Sequence, residues 1–485
     1  MGNLPINSLT GAQELSAIEV DVVAFGGGFA GLVAANRAAQ LGLNAVVLEQ
    51  QPEDVYLCNS RYSTGVSNVV SRSAELPEAE LVTAINEVSA GHADPELVRV
   101  FAANAGRAVT WLRSEGARLV PHPRRKKDHR PPSLVLAPVR GLKEGLAWQG
   151  SGSDVLLRRL ETNLIGRGGS LVRGTRVVSL VMKNGACVGV DAVTNGEEVR
   201  YHARAVVIAD GGFMANRDLV RRHITPHPEK LNLRSAGNVK GDGIQMAERV
   251  GAEIKGLGGF YGHLQHRDAL SNPRLWPYPT LDVLATAGIV VGVDGRRFAD
   301  EGRGGVALAN AVAKLTDPLS TTVIFDAAIW QGPGTRGTVP PNPHLESAGG
   351  APVVANDLAQ LAESAGLPVP HLRETIEAYN EALARGTLAT LDPPRTTNDF
   401  PAHPIGEGRL YAVPLCAGIT GTMGGLSIND GAQVLRPDGS AIPGLFAAGT
   451  ATGGLEGGPR LTYMGGLSKA FIFGLLAAES IAKFG

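Results

Sequence analysis

The stretch VDVVAFGGGFAGLVAANRAAQLGLNAVVLEQ, Val20 to Gln50, constrains the chain more than any other. Val20–Phe25 is valine-rich and apolar apart from Asp21, the pattern of a strand buried on both faces of a parallel sheet. Gly26, Gly28 and Gly31 follow at G-x-G-x-x-G spacing, and the small and apolar residues through Leu41 predict a helix. Asn44–Leu48 predicts a second strand, ended by Glu49, 18 residues after Gly31. Such a turn needs glycine to bend tightly, to let backbone approach a pyrophosphate, and to pack helix on strand. The helix N-terminus offers free amide donors to an anion, and an acid at the second strand end accepts from ribose hydroxyls. The unit therefore predicts a bound dinucleotide, with FAD and NAD both open at this step and the acid arguing against a 2′-phosphate.

The rest of the chain favours FAD. ARAVVIADGGF (Ala203–Phe213) is another apolar strand, ending at Asp210–Gly211–Gly212, and IPGLFAAGTATGG (Ile442–Gly454) repeats the strand-then-glycine pattern near the C-terminus. A fold that needs its last segment to close suits a long cofactor running across it. With 485 residues the chain exceeds one small core. Lys plus Arg is 45 against 46 for Asp plus Glu, so no overall field recruits nucleic acid or a membrane surface. The basic run PRRKKDHR (Pro123–Arg130) reads as a solvated loop. Cys58, Cys187 and Cys416 are scattered, without metal-site or iron–sulfur spacing, so no metal is expected and a reducing compartment is. The N-terminal residues lack the pattern of a secretory signal, and there is no apolar run of about 18 residues to span a membrane. The expected location is the cytoplasm.

These motifs, in this order, resemble the fumarate reductase/succinate dehydrogenase flavoprotein family, which includes 3-ketosteroid dehydrogenases and tricarballylate dehydrogenase. The resemblance runs from the Gly26–Gly31 turn through CNSRYSTG (Cys58–Gly65), GTRVVSLV, ARAVVIADGGF, GNVKGDGIQMAERVGAEI (Gly237–Ile254) and GTMGGLSI (Gly421–Ile428) to IPGLFAAG and the last helix. It implies an α/β fold: a Rossmann-like FAD-binding domain split in sequence (1–254 and 396–485), with an α+β capping, substrate domain inserted at 255–395. It implies that Gly26, Gly28, Phe29, Ala30, Gly31, Glu49, Gln50, Asn59, Ser60, Ser63, Thr64, Gly65, Val177, Asp210, Gly211, Gly449 and Thr450 hold FAD. Some relatives attach FAD through a histidine near the early Ser/Thr segment; Asn59–Gly65 has none, so noncovalent FAD is expected.

At the C-terminus, Leu467, Ala470, Phe471, Gly474, Leu475, Ala478 and Ile481 trace one helical face. Gly465, Gly466 and Leu467 begin that helix, whose N-terminal amides and partial positive charge would face the flavin pyrimidine edge. Two residues just before it point to different substrates. Arg460 matches the family's carboxylate-clamping arginine, whereas Tyr463, in LTYMGG, resembles the tyrosine of ketosteroid dehydrogenases that donates to a ketone oxygen. Gly421 and Thr450 stand where fumarate reductases carry a histidine and an acid, and Arg303 follows Glu301 by two places rather than four. Arg303 is retained as a proton-donor candidate, and Tyr261, His263 and Tyr278 as candidates for the base. The leading expectation is an FAD-dependent enzyme that forms or reduces a C=C bond α,β to a carbonyl, in a cyclic ketone or keto acid. Oxidoreduction of di- or tricarboxylates and a flavoprotein electron carrier are the alternatives. Each exchanges electrons with a separate partner molecule.

Overall fold

The computed structural model describes residues 16–122, 132–139, 148–337 and 339–484. The basic run Pro123–Arg130 lies outside the described residues.

The first sheet has the strand order Gln433–Leu435, Ala441–Ala447, Glu197–Ile208, Ser16–Phe25, Ala45–Leu48, Ser170–Val172. From Ala441–Ala447 to Ser170–Val172 every pairing is parallel. Parallel strands are covered on both faces. Accordingly Val22, Val23 and Ala24 are fully buried, as are Val206, Val207, Leu445 and Phe446. The C-terminal strand Ala441–Ala447 thus sits beside Glu197–Ile208 in the same sheet as the N-terminal strand, so the fold closes with its last segment. The strand predicted over Ala203–Phe213 starts earlier, at Glu197, because its half-buried first part pairs with the hairpin strand Ala186–Thr194. It stops at Ile208, just before the chain turns at Gly211 with φ +90°.

Helix Phe29–Gln40 packs on the terminal helix Gly466–Lys483. Gly474 makes the approach possible: a Cβ there would lie 2.9 Å from the carbonyl oxygen of Ala30. Phe29 and Phe471 meet edge to face, 5.1 Å between centroids, and burying each such side chain contributes about 1.5–3 kcal/mol.

The second sheet is organised on the long strand Leu410–Leu426, which pairs along most of its length with Ile254–His266 and also takes Thr322–Asp326, Val353–Ala355 and Asn232–Leu233. Its strands come from within 255–395 and from both flanks. One irregularity matters for the site. Tyr261 faces Gly421 while the next residue, Gly262, faces Ile419, so Thr420 is an extra residue bulging from its strand. Gly262 is required there, because a Cβ would fall 2.2 Å from the Gly418 carbonyl oxygen.

Candidate active site

A single long cavity runs from the glycine turn to the second sheet. At its first end the turn is held by short bonds. Gly27 N–H donates to Glu49 Oε2 at 2.8 Å, Gln51 N–H to Glu49 Oε1 at 2.9 Å, and the Tyr56 hydroxyl to the Gly27 carbonyl at 2.6 Å. Burial raises the Glu49 carboxyl, and the bonds from Gln51 and Gly27 oppose the rise. Gly26 has φ +106° and presses on the backbone of Ala209; a Cβ on Gly31 would stand 2.2 Å from the Gly26 carbonyl oxygen. These two glycines serve packing. Gly28 differs: a Cβ there would meet only Ser60, 3.0 Å from its Oγ. Ser60 Oγ accepts from Phe29 N–H at 3.0 Å. Gly28, Ser60, Ser63 and Thr64 therefore form a cradle of amides and hydroxyls, with Glu49 as the acceptor beyond it, all facing the cavity. That donor set and the cavity's length fit a dinucleotide.

The middle of the cavity meets the terminal helix. Gly465 does not line it: its φ is +116°, and a Cβ would collide with the Asn68 carbonyl oxygen at 2.2 Å. Gly466, Leu467 and Ala470 do line it. The first helix amide, Gly466 N–H, donates to the Tyr463 hydroxyl at 2.7 Å. The loop carrying Tyr463 is tied to the helix by a buried ion pair, Lys469 Nζ to Glu456 Oε2 at 2.8 Å; Glu456 Oε1 accepts from Met464 N–H at 3.0 Å.

The far end is aromatic. Tyr261 and Tyr463 stack, and His263 meets Tyr261 edge to face at 5.1 Å. His263 Nε2 lies 3.1 Å from the Tyr261 hydroxyl, and its Nδ1 bonds the Asp282 carboxylate. Asp282 Oδ1 also accepts from Leu264 N–H at 2.8 Å, which fixes the carboxylate. An ionised carboxylate only accepts, so Nδ1 carries the hydrogen and Nε2 accepts from the tyrosine. Burial pushes the Tyr261 phenol up to about 12 and holds Tyr463 well above the usual phenol range, so both stay protonated at neutral pH. Trp276, Tyr278 and Arg234 complete this end, with the Arg234 guanidinium 4.7 Å above the Tyr278 ring.

The family profile described as the FAD binding domain matches residues 21–462. The chain belongs to this FAD-binding family. It is 28% identical to the "Probable fumarate reductase Ifc3" of Shewanella frigidimarina (strain NCIMB 400), covering 95% of this chain and 74% of that one. It is 27% identical to the "4-oxocyclohexanecarboxylate 2-dehydrogenase" of Sinomonas cyclohexanicum, over 68% of this chain and 63% of the relative. Among solved structures, the fold is similar to 3-ketosteroid delta1-dehydrogenase from Sterolibacterium denitrificans, with a TM-score of 0.75, 20% identity and coverage of 96% and 99%.

In this FAD-binding protein most residues expected on the cofactor do face the cavity: Gly26, Gly28, Ala30, Glu49, Gln50, Asn59, Ser60, Ser63, Thr64, Val177, Asp210, Gly211, Gly449, Thr450, Gly466 and Leu467. Phe29, Gly31, Gly65 and Gly465 stand behind that lining and pack it. Tyr261, His263, Tyr278 and Tyr463 come together at the far end. Arg460 and Arg303 do not join them. Arg460 is exposed and donates to the Glu87 carbonyl at 2.8 Å; Arg303 is exposed and donates to the Pro459 carbonyl at 2.6 Å. Glu456 and Tyr463, on either side of Arg460, reach the site, but the Gly457–Thr462 hairpin turns Arg460 outward; no residue near Arg303 in sequence lines the cavity. Asp282 and Arg234 were not singled out by sequence. Asp282 stands in YPTLDVL and Arg234 in KLNLRSAGN, with no motif around either. At Gly421, opposite Tyr261, a Cβ would find only Met214 Cε, 3.8 Å away.

Proposed function

We propose that this protein is an FAD-dependent oxidoreductase that forms or reduces a C=C bond α,β to a carbonyl, on a cyclic ketone or keto acid. The carrying observation is the pair of stacked phenols with opposite connections: Tyr463 accepts from a helix N-terminal amide, and Tyr261 leads to a His–Asp pair. Bound flavin supplies the acceptor, or in reduction the donor, of a hydride at the substrate β-carbon. The chain's own residues manage the carbonyl and the α-proton.

A phenol whose oxygen accepts a hydrogen bond donates its own proton more strongly. Tyr463 is thus the donor to the substrate carbonyl, stabilising negative charge on that oxygen as the α-proton leaves. Tyr261 takes the α-proton on its oxygen while its original proton passes to His263 Nε2, and Asp282 holds the resulting imidazolium. The C=C bond forms between the α- and β-carbons as the substrate loses two electrons, and reduction runs the same transfers backwards. The half-buried rings of Trp276 and Tyr278 wall this end and limit the water that reaches the reacting carbons. Residues 255–395, which supply Tyr261, His263, Trp276, Tyr278 and Asp282, act as the cap over the flavin seat.

We infer noncovalent FAD, since Asn59–Gly65 offers no histidine to bond it. The three cysteines are free and buried, which suits cytoplasmic residence and a separate small molecule or protein as electron partner. Among the described residues no helix is long and apolar enough to cross a membrane. The relatives whose names specify fumarate raise dicarboxylates as substrates, but the outward course of Arg460 and the open space at Gly421 favour the carbonyl. Anaerobic addition of cyclic ketones, keto acids and their α,β-unsaturated forms tests this reading. Bleaching of oxidised flavin by a saturated ketone, or reoxidation of reduced flavin by an enone, is expected. Response to fumarate or succinate and to no carbonyl compound overturns it.

A further inference from the structure

Arg234 is buried, at 8% exposure, and lines the cavity together with Tyr261 and Tyr278, its guanidinium lying over the Tyr278 ring. Its Nε donates to the Pro277 carbonyl at 2.8 Å and its Nη1 to Thr420 Oγ1 at 3.0 Å. Thr420 is the bulge residue of its strand, so the irregularity that spaces Tyr261 from Gly262 also aims a hydroxyl at Arg234. Both partners are neutral. The other buried arginines are treated differently: Arg61 meets Asp154, and Arg297 and Arg395 meet Glu301. Arg234 has no carboxylate partner among the described residues, and Asp282, the acid of this end, is committed to His263. Removing a charge from water without a counter-charge costs several kcal/mol. Two bonds leave N–H donors of the fork available to a planar anion. The head is held in place by Pro277 and Thr420, so a ligand would find it preorganised.

We propose that Arg234 is an anion-binding residue of the substrate site and that the substrate is a carboxylic acid. In this arrangement, which rests on the carbonyl reading above, the carboxylate lies on Arg234 while the carbonyl oxygen reaches Tyr463. The carboxylate anchor is therefore not Arg460 but a residue from the strand–loop segment that precedes Gly237. Tyr261 stands between the two anchors, beside the α-carbon.

The test uses FAD-loaded protein and two unreactive probes of one shape, cyclohexanecarboxylate and its methyl ester, titrated by calorimetry and by the shift of the flavin absorption band. The acid is expected to bind more tightly than the ester by about 10- to 100-fold, the range for hydrogen bonds to a charged group. Arg234→Met is expected to remove that preference with bound FAD unchanged. Arg234→Lys, which keeps the charge and loses the fork, is expected to retain part of it. Equal binding of acid and ester by the unmodified protein overturns the proposal without any variant. So does an undiminished preference in Arg234→Met, or loss of FAD from it with the preference intact, which would assign Arg234 to the cofactor. Acid-selective binding with no flavin response to any ketone would support the anion site and overturn the carbonyl reading instead.

Discussion

Tyr261 and Tyr463 lie face to face, with ring centroids 3.8 Å apart and planes 15° from parallel. One stands on a strand of the second sheet and the other just before the terminal helix, so the stack joins the two halves of the site. Different partners give the two phenols different tasks: the Tyr261 hydroxyl meets His263 Nε2, and the Tyr463 hydroxyl accepts from Gly466 N–H.

Tyr463→Phe removes the hydroxyl and keeps the stack. Turnover of a ketone substrate is expected to fall about 100- to 1,000-fold, the loss typical of one donor to a developing oxyanion. Bound FAD, read from its visible absorption, is expected to stay the same. Unchanged turnover would remove Tyr463 from the mechanism.

Asp282→Asn replaces an acceptor by an amide that can donate to His263 Nδ1. The imidazole then carries its hydrogen on Nε2 and no longer accepts from Tyr261. Exchange of the substrate α-proton with deuterated water, followed by NMR, is expected to slow about 100- to 10,000-fold, the usual range for general acid–base help. Exchange at the original rate would show that the Tyr261 proton takes another route.

Asp210 predicts a pH dependence of stability. Burial raises its carboxyl from 3.8 to about 7, the bond from Gly243 N–H opposing the rise, and its Oδ1 is buried without a hydrogen-bond partner. The folded protein therefore holds a proton that the unfolded chain releases at lower pH. The stability this contributes is full below about pH 4 and is lost as pH rises through about 7. In thermal unfolding of flavin-free protein between pH 4 and 8, Asp210→Asn should flatten that decline. An identical slope in the variant would assign the pH dependence elsewhere.

Glu301 sits fully buried between two arginines. Its Oε2 is 2.6 Å from Arg297 Nη2 and 3.8 Å from Arg395 Nε, and Val290 N–H donates to Oε1 at 3.1 Å. Glu301→Ala leaves two buried guanidiniums facing each other, and a loss of about 3–5 kcal/mol in urea unfolding is expected. A loss below about 1 kcal/mol would mean that water enters and solvates the pair.

Much of the cofactor end was legible from residues near one another in sequence. The Gly26–Gly31 turn, the strands beside it and Glu49 form one local unit, and valine runs and glycine spacing specify it wherever it occurs. The terminal helix was legible for the same reason: its apolar positions recur at helical period, and Ala470, Phe471, Leu475, Ala478 and Ile481 are all buried. Even here the duties of neighbouring glycines separate only in three dimensions. Gly28 leaves space open to the cavity, whereas Gly31 relieves a contact with the Gly26 carbonyl oxygen of its own turn and Gly465 one with the distant Asn68 carbonyl oxygen.

The substrate end was decided by tertiary structure. Arg460 and Tyr463 are three residues apart, yet Gly457 and Thr462 exchange backbone bonds of 2.9 and 3.0 Å, and Leu461 takes φ +51°. That tight turn sends Arg460 to the surface and leaves Tyr463 inside. Arg234, Tyr261, Asp282 and Thr420 meet because a bulge shifts one strand against another and because a buried charge must find partners across the fold. Neither condition has a sequence period or a spacing. The chain's local patterns determine that a flavin dinucleotide can be held; long-range register and desolvated charge decide what can be brought to it.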